Sequence, residues 1–79
     1  MTWNYRIIYH DTDIDPAKHW LGVHEVFYEK GGVTDWTKDA VDFVCDPSEG
    51  AEGLIQSLEQ ALRDVQNQSV LRESQLPKT

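Results

Sequence analysis

Apolar and polar residues alternate with a period of two in the first third of the chain and with a period near 3.6 beyond residue 50. In Trp3 to His10, WNYRIIYH, alternation places Trp3, Tyr5, Ile7 and Tyr9 on one face and Asn4, Arg6, Ile8 and His10 on the other. A β-strand follows, with the second, mostly polar face expected to meet water. DTDIDPAKH, Asp11 to His19, reads as a turn-rich loop, because Pro16 has no N–H for a ladder and keeps Asp15 out of the helical region. Trp20 to Glu29 is a second strand. One of its faces holds Trp20, Gly22, His24, Val26 and Tyr28, the other Leu21, Val23, Glu25, Phe27 and Glu29, so alternation leaves its buried side open. Lys30, Gly31 and Gly32 make a tight hairpin connection, since glycine reaches positive φ without a Cβ clash. Val33 to Thr37 should then return antiparallel.

Ala40 to Cys45, AVDFVC, is a short apolar run that forms either a fourth strand or a continuation of the third past a bulge at Lys38 and Asp39. After it the period changes. Ala51, Leu54, Leu58, Ala61, Leu62 and Val65 recur at steps of three and four, and Ile55 widens the stripe into that of an amphipathic helix lying on the sheet. Ser48 is the expected N-cap, with Glu49 and Glu52 near the positive end of the helix dipole. Gly50 and Gly53 weaken the first turn by about 1 kcal/mol each relative to alanine, which delays the start. The helix should end between Gln66 and Ser69. The expectation is one α+β domain over residues 1–69, a three- or four-stranded antiparallel sheet with one C-terminal helix on a face. Residues 70–79 form a loosely packed tail from which Val70 and Leu71 dock back.

With 79 residues there is room for one domain, and a chain this short buries only about 60% of its unfolded surface, so dimerisation is a natural remedy for a thin core. A composition with 39% hydrophobic residues is still that of a folded protein. Fourteen acidic against seven basic residues give a net charge of -7. Such a surface repels a phosphate backbone and attracts a basic protein face, which argues against direct nucleic-acid binding. The single Cys45 allows no internal disulfide, and neither a leader pattern nor an apolar stretch of membrane-spanning length is visible, so a cytoplasmic protein is expected.

Four places carry residue types that chemical sites use. Asp11, Asp13 and Asp15 imitate the start of a calcium loop, but Pro16 and Gly22 stand where that loop needs its glycine and its bidentate glutamate. His10, His19 and His24 lack zinc-ligand spacing, and His24 and Glu25, adjacent on a strand, point to opposite faces. His24 is expected to hydrogen-bond across the sheet, while His10 and His19 bracket the aspartate loop. Cys45 and Ser48 have no base arranged beside them, and Gly31-Gly32 precedes a strand rather than a phosphate-binding helix. No catalytic, metal or cofactor residues are therefore assigned, and the protein is not expected to be an enzyme. The charge pattern is more informative: Asp39, Asp42, Asp46, Glu49, Glu52 and Glu59 run without an intervening Lys or Arg. They form an acidic rim suited to a basic protein, with Tyr9, Trp20, Tyr28 and Trp36 as candidate aromatic anchors.

WNYRII, GVHEVFYEKGG and Trp36-Thr37 followed by AVDFV resemble a group of small uncharacterised bacterial proteins with a Gly-Ile/Val-His-Glu-Val-Phe/Tyr-Tyr strand motif, over roughly Trp3 to Val65. The resemblance implies strand and hairpin followed by an acidic helix, with no established activity. The chain departs from that group in DTDIDPAKH and in the glycine-rich DPSEGAEG. More coarsely, strands followed by an amphipathic helix are similar to HicB-type antitoxin domains, which cover a small basic toxin. Size and charge also suit an anti-CRISPR-like inhibitor that imitates nucleic acid. The expectation is a small acidic, noncatalytic module that engages a basic protein or a second copy of itself.

Overall fold

A computed structural model of the chain describes residues Thr2 to Lys78. The sequence folds into the expected α+β architecture, a mostly antiparallel four-stranded sheet with one helix packed on it. β1 (Thr2–His10), β2 (Trp20–Glu29) and β3 (Gly32–Trp36) follow each other as a meander, α1 spans Gly50–Gln66, and β4 (Leu71–Arg72) closes the order β3-β2-β1-β4. β1 and β2 pair along their whole length, from Thr2 opposite Tyr28 to His10 opposite Trp20. The hairpin between β2 and β3 has only Lys30 and Gly31 at its tip, with φ of 53° and 82°. Two successive positive φ values match the twist of the strands they join.

The fourth strand comes after the helix and not before it. Leu71 and Arg72 pair in parallel with Ile8 and Tyr9. Ala40–Cys45 forms no strand. The chain does continue beside β2, where Thr37 N–H donates to Glu25 O and Val41 N–H to Val23 O, but the bend at Lys38 and Asp39 interrupts a regular ladder. From the expected loose tail, Leu71 docks onto the core as expected, whereas Val70 stays 52% exposed. Ile8, Val26 and Trp36 form the buried centre of that core, and Leu71 and Leu76 pack onto it together with Tyr28 and Val33. The indole N–H of Trp36 donates to Pro77 O at 2.9 Å.

These contacts overturn the expected orientation of the first strand. The face carrying Arg6, Ile8 and His10, expected to meet water, is buried; on the opposite face Tyr5 is buried as well, while Trp3 is well exposed. Burial of the two charged or titratable side chains is possible because each finds partners. Arg6 donates to Ser69 O and to the Tyr28 hydroxyl, and His10 is bonded at both ring nitrogens. Buried polar groups are tolerated on that condition. Among the described residues, no buried side-chain nitrogen or oxygen lacks a partner.

The helix is also rotated from its expected setting. Leu54, Ser57, Ala61, Asp64 and Val65 are its half-buried or buried line, whereas Ile55, Leu58 and Leu62 remain 44%, 46% and 56% exposed. Asp64 explains the rotation. Its carboxylate accepts the Tyr5 N–H at 3.0 Å, on the edge of β1 that β2 does not use, and it can do so only if its own side of the helix faces the sheet. Nor is Ser48 the cap. Asp46 caps a short 3₁₀ turn, Pro47–Glu49, by accepting Ser48 N–H, while Glu49 accepts the Asp46 N–H in return. Gly50, at φ 66°, joins this turn to the helix proper. The acceptance of Ser48 N–H holds the Asp46 carboxyl below its ordinary pKa.

Candidate functional site

The most organised polar group lies inside the sheet. His10 at the end of β1 and His24 in the middle of β2 occupy the same face four ladder positions apart, since Arg6 is the residue opposite His24 and Trp20 the one opposite His10. Gly22 sits between Trp20 and His24 on β2, and its missing side chain makes the arrangement possible. A Cβ there would lie 2.6 Å from the Trp20 ring and 3.1 Å from His24 Nε2. The indole instead folds back over the glycine and stacks on the His10 imidazole, with ring centroids 3.8 Å apart and planes 12° from parallel.

Four groups are then joined in line. Glu73 Oε1 is 2.7 Å from His10 Nδ1, His10 Nε2 is 2.8 Å from His24 Nε2, and His24 Nδ1 is 2.6 Å from the Thr37 carbonyl. His24 is fully buried, whereas Glu73 keeps about a quarter of its surface in solvent. Burial pushes the His24 pKa below its ordinary value, against the smaller opposing effect of the Thr37 carbonyl. A carbonyl oxygen can only accept, so His24 Nδ1 carries a proton and its neutral ring presents Nε2 as an acceptor. His10 Nε2 must therefore donate. The 2.8 Å between the two Nε2 atoms is a hydrogen-bond distance and falls short of the roughly 3.3 Å that two nitrogens on one tetrahedral zinc would keep. Among the described residues, no group of three His, Cys, Asp or Glu side chains is placed to hold a metal ion.

At the solvent end of this relay, an open recess of about 690 Å³ is lined by Asp11, Trp36, Lys38, Glu73, Ser74 and Pro77. Asp11 accepts both the N–H and the hydroxyl of Ser74 and lies 3.5 Å from Arg72, and the Ser74 bonds hold its carboxyl below the ordinary carboxylate range. The segment Leu71 to Pro77 is thus fastened to the sheet by a pair of backbone rungs, the Glu73 carboxylate, Ser74 and the Trp36 indole.

The sequence-derived site residues are distributed as follows. Asp39, Asp42, Asp46, Glu49, Glu52 and Glu59 are all exposed. Trp36 lies in the core, and the Tyr28 hydroxyl is held by Arg6 and Asn4, so neither offers a free ring. The Tyr9 hydroxyl meets His19 Nδ1 at 3.1 Å, and the other nitrogen of that ring meets Asp13 O. Trp20 is the exposed member of the four anchors, although one of its faces is covered by His10. Sequence reasoning weighed His10, His19 and His24 without joining any two of them, and it missed Glu73, which lies 63 positions from His10 in a segment without periodicity. It also missed the outward row Ile55, Leu58 and Leu62, which the same periodicity had assigned to the core. No helix among the described residues is long and apolar enough to cross a membrane. No family model matches the chain, and neither the curated proteins nor the solved structures compared with it give a match.

Proposed function

We propose that the chain is a small acidic, noncatalytic protein-binding module that docks a basic protein through the outward side of α1. The observation that carries this reading is the exposed apolar row Ile55, Leu58 and Leu62 on a helix that also exposes Glu52 and Glu59. Asp42, Asp46 and Glu49 lie exposed on the approach to the same helix. Apolar side chains supply the area that binding removes from water, and surrounding carboxylates orient and accelerate the encounter with Lys or Arg. The partner that fits is a basic surface with an apolar ridge. A noncatalytic role is favoured because all four imidazole nitrogens of His10 and His24 are already engaged, leaving neither ring a free lone pair for a substrate.

Self-association is the second reading, favoured by the open shape of the single chain. Its accessible surface is 5766 Å², against about 4,900 Å² expected for a folded monomer of this mass. The charge of -7 weighs against it, because two copies would bring carboxylates together.

The test is sedimentation velocity of the chain alone and with an amphipathic helical peptide of leucine and lysine, at low and at physiological salt. A monomer that binds the peptide, more weakly in added salt and not at all after Leu58→Glu, supports the proposal. A monomer indifferent to the peptide sinks it, and a dimer that Leu58→Glu dissociates transfers the surface to the second reading.

A further inference from the structure

We propose that Glu73, His10 and His24 form a proton-operated latch: one proton beyond the two that neutral imidazoles carry closes the segment Leu71–Pro77 onto the sheet, and its loss as the pH rises releases that segment. The argument is a count of hydrogen-bond donors. The relay contains three contacts, Glu73 to His10, His10 to His24 and His24 to Thr37 O, and none of the four heavy-atom groups brings a donor other than what titrates. Each contact needs one proton. Two neutral imidazoles and a carboxylate hold only two, so the closed relay carries a third. Whether that proton rests on His10 Nδ1 or on the Glu73 oxygen, the three side chains together have no net charge, as suits their burial. Without it, one contact places two lone pairs face to face less than 3 Å apart.

The neighbouring charges leave this count intact. On β1, Arg6 stands opposite His24, but its guanidinium is bonded to Ser69 and Tyr28. From the connection after β3, Asp39 favours a protonated ring. In the C-terminal segment, Arg72 lies 3.5 Å from Asp11. Lys38 and Lys78 line the recess that Glu73 borders, while the ion-pair partner of the Glu73 carboxylate is His10, and the rings of Trp20 and Trp36 wall the two imidazoles.

With the segment released, Glu73 is solvated and the two imidazoles are the same in wild type and in a variant altered at Glu73 alone. Glu73→Gln provides the discriminating variant. The glutamine amide N–H can donate to His10 Nδ1, His10 Nε2–H to His24, and His24 Nδ1–H to Thr37, a chain complete with two imidazole protons. The released states of the two proteins bind the same number of protons between about pH 5 and pH 8, while the closed states differ by one. The closed-to-released ratio of wild type, divided by that of the variant, must therefore fall tenfold per pH unit.

The readout is exchange protection of the Trp36 indole N–H, which is bonded to Pro77 O only when the segment is docked. A tenfold fall per pH unit in the ratio of protection factors, wild type over Glu73→Gln, between pH 6 and pH 8 is the expected result. Parallel profiles overturn the proposal. Should the variant fail to fold, imidazole ¹⁵N and Glu73 carboxyl ¹³C shifts of the wild type at pH 7 count the protons directly. Three support the latch, and two refute it.

Discussion

Gly22 shows how much one side chain's absence can decide. The Trp20 ring occupies the space above it and thereby reaches His10, so Gly22→Ala must push the indole away or displace His24. Overpacking of this kind costs about 1–3 kcal/mol. The expected outcome is a lower urea midpoint accompanied by loss of the near-ultraviolet circular dichroism that the stacked indole contributes. Ile8, fully buried at the centre of the core, is the complementary case, and Ile8→Ala should cost about 2–5 kcal/mol in the same titration. A third residue-level effect is electrostatic. Burial, with Glu25 and Asp64 nearby, holds the Tyr5 phenol pKa above its ordinary value. The unfolded chain then releases that proton first, so stability is lost as the pH rises through 10, and Tyr5→Phe should flatten the alkaline limb of the stability profile. At this scale the sequence was only partly legible. His24 hydrogen-bonds across the sheet as its strand position implied, but the partners that let Arg6 and His10 be buried come from Ser69 and Glu73. Alternation reports the polarity of a face and is blind to donors and acceptors arriving from sixty residues away.

Among the elements, the strands and hairpin were legible because a local period of two and a two-residue turn specify them without reference to the rest of the chain. The existence of the helix was legible for the same reason. Its rotation was not, since that depends on Asp64 meeting the bare Tyr5 N–H, a fact of assembly and not of periodicity. β4 was invisible: a two-residue strand has no period to read. The junction at Gly50 carries the sharpest prediction here. With φ 66° and ψ −176° it occupies a region open almost only to glycine, and Gly50→Ala should cost about 1–3 kcal/mol, seen as a lower melting temperature. Removing residues 71–79 should lower the urea midpoint, because Leu71 and Leu76 cover Ile8, Val26 and Trp36. An unchanged midpoint after that truncation would show that the segment is dispensable.

As a whole, the molecule is broad and thin, 43 by 34 by 22 Å, with a radius of gyration of 13.9 Å against about 12 Å for a compact chain of this length. Seven net negative charges on so small a body repel one another, and raising the salt from 10 to 150 mM should increase the melting temperature by screening them. A melting temperature indifferent to salt would mean that the carboxylates are already neutralised pairwise. The excess area and the outward row on α1 are the features on which the proposed docking rests. A further consequence follows from β4 running parallel to β1. Arg6 meets Ser69, His10 meets Glu73 and Asp11 meets Ser74, each across an interval of 63 residues. During synthesis at about 5–20 residues per second, the first three strands therefore emerge seconds before the piece that seals them. The nascent meander must wait with Ile8, Val26 and Trp36 uncovered until Leu71 and Leu76 arrive, an interval in which it exposes apolar surface of the kind that chaperones bind.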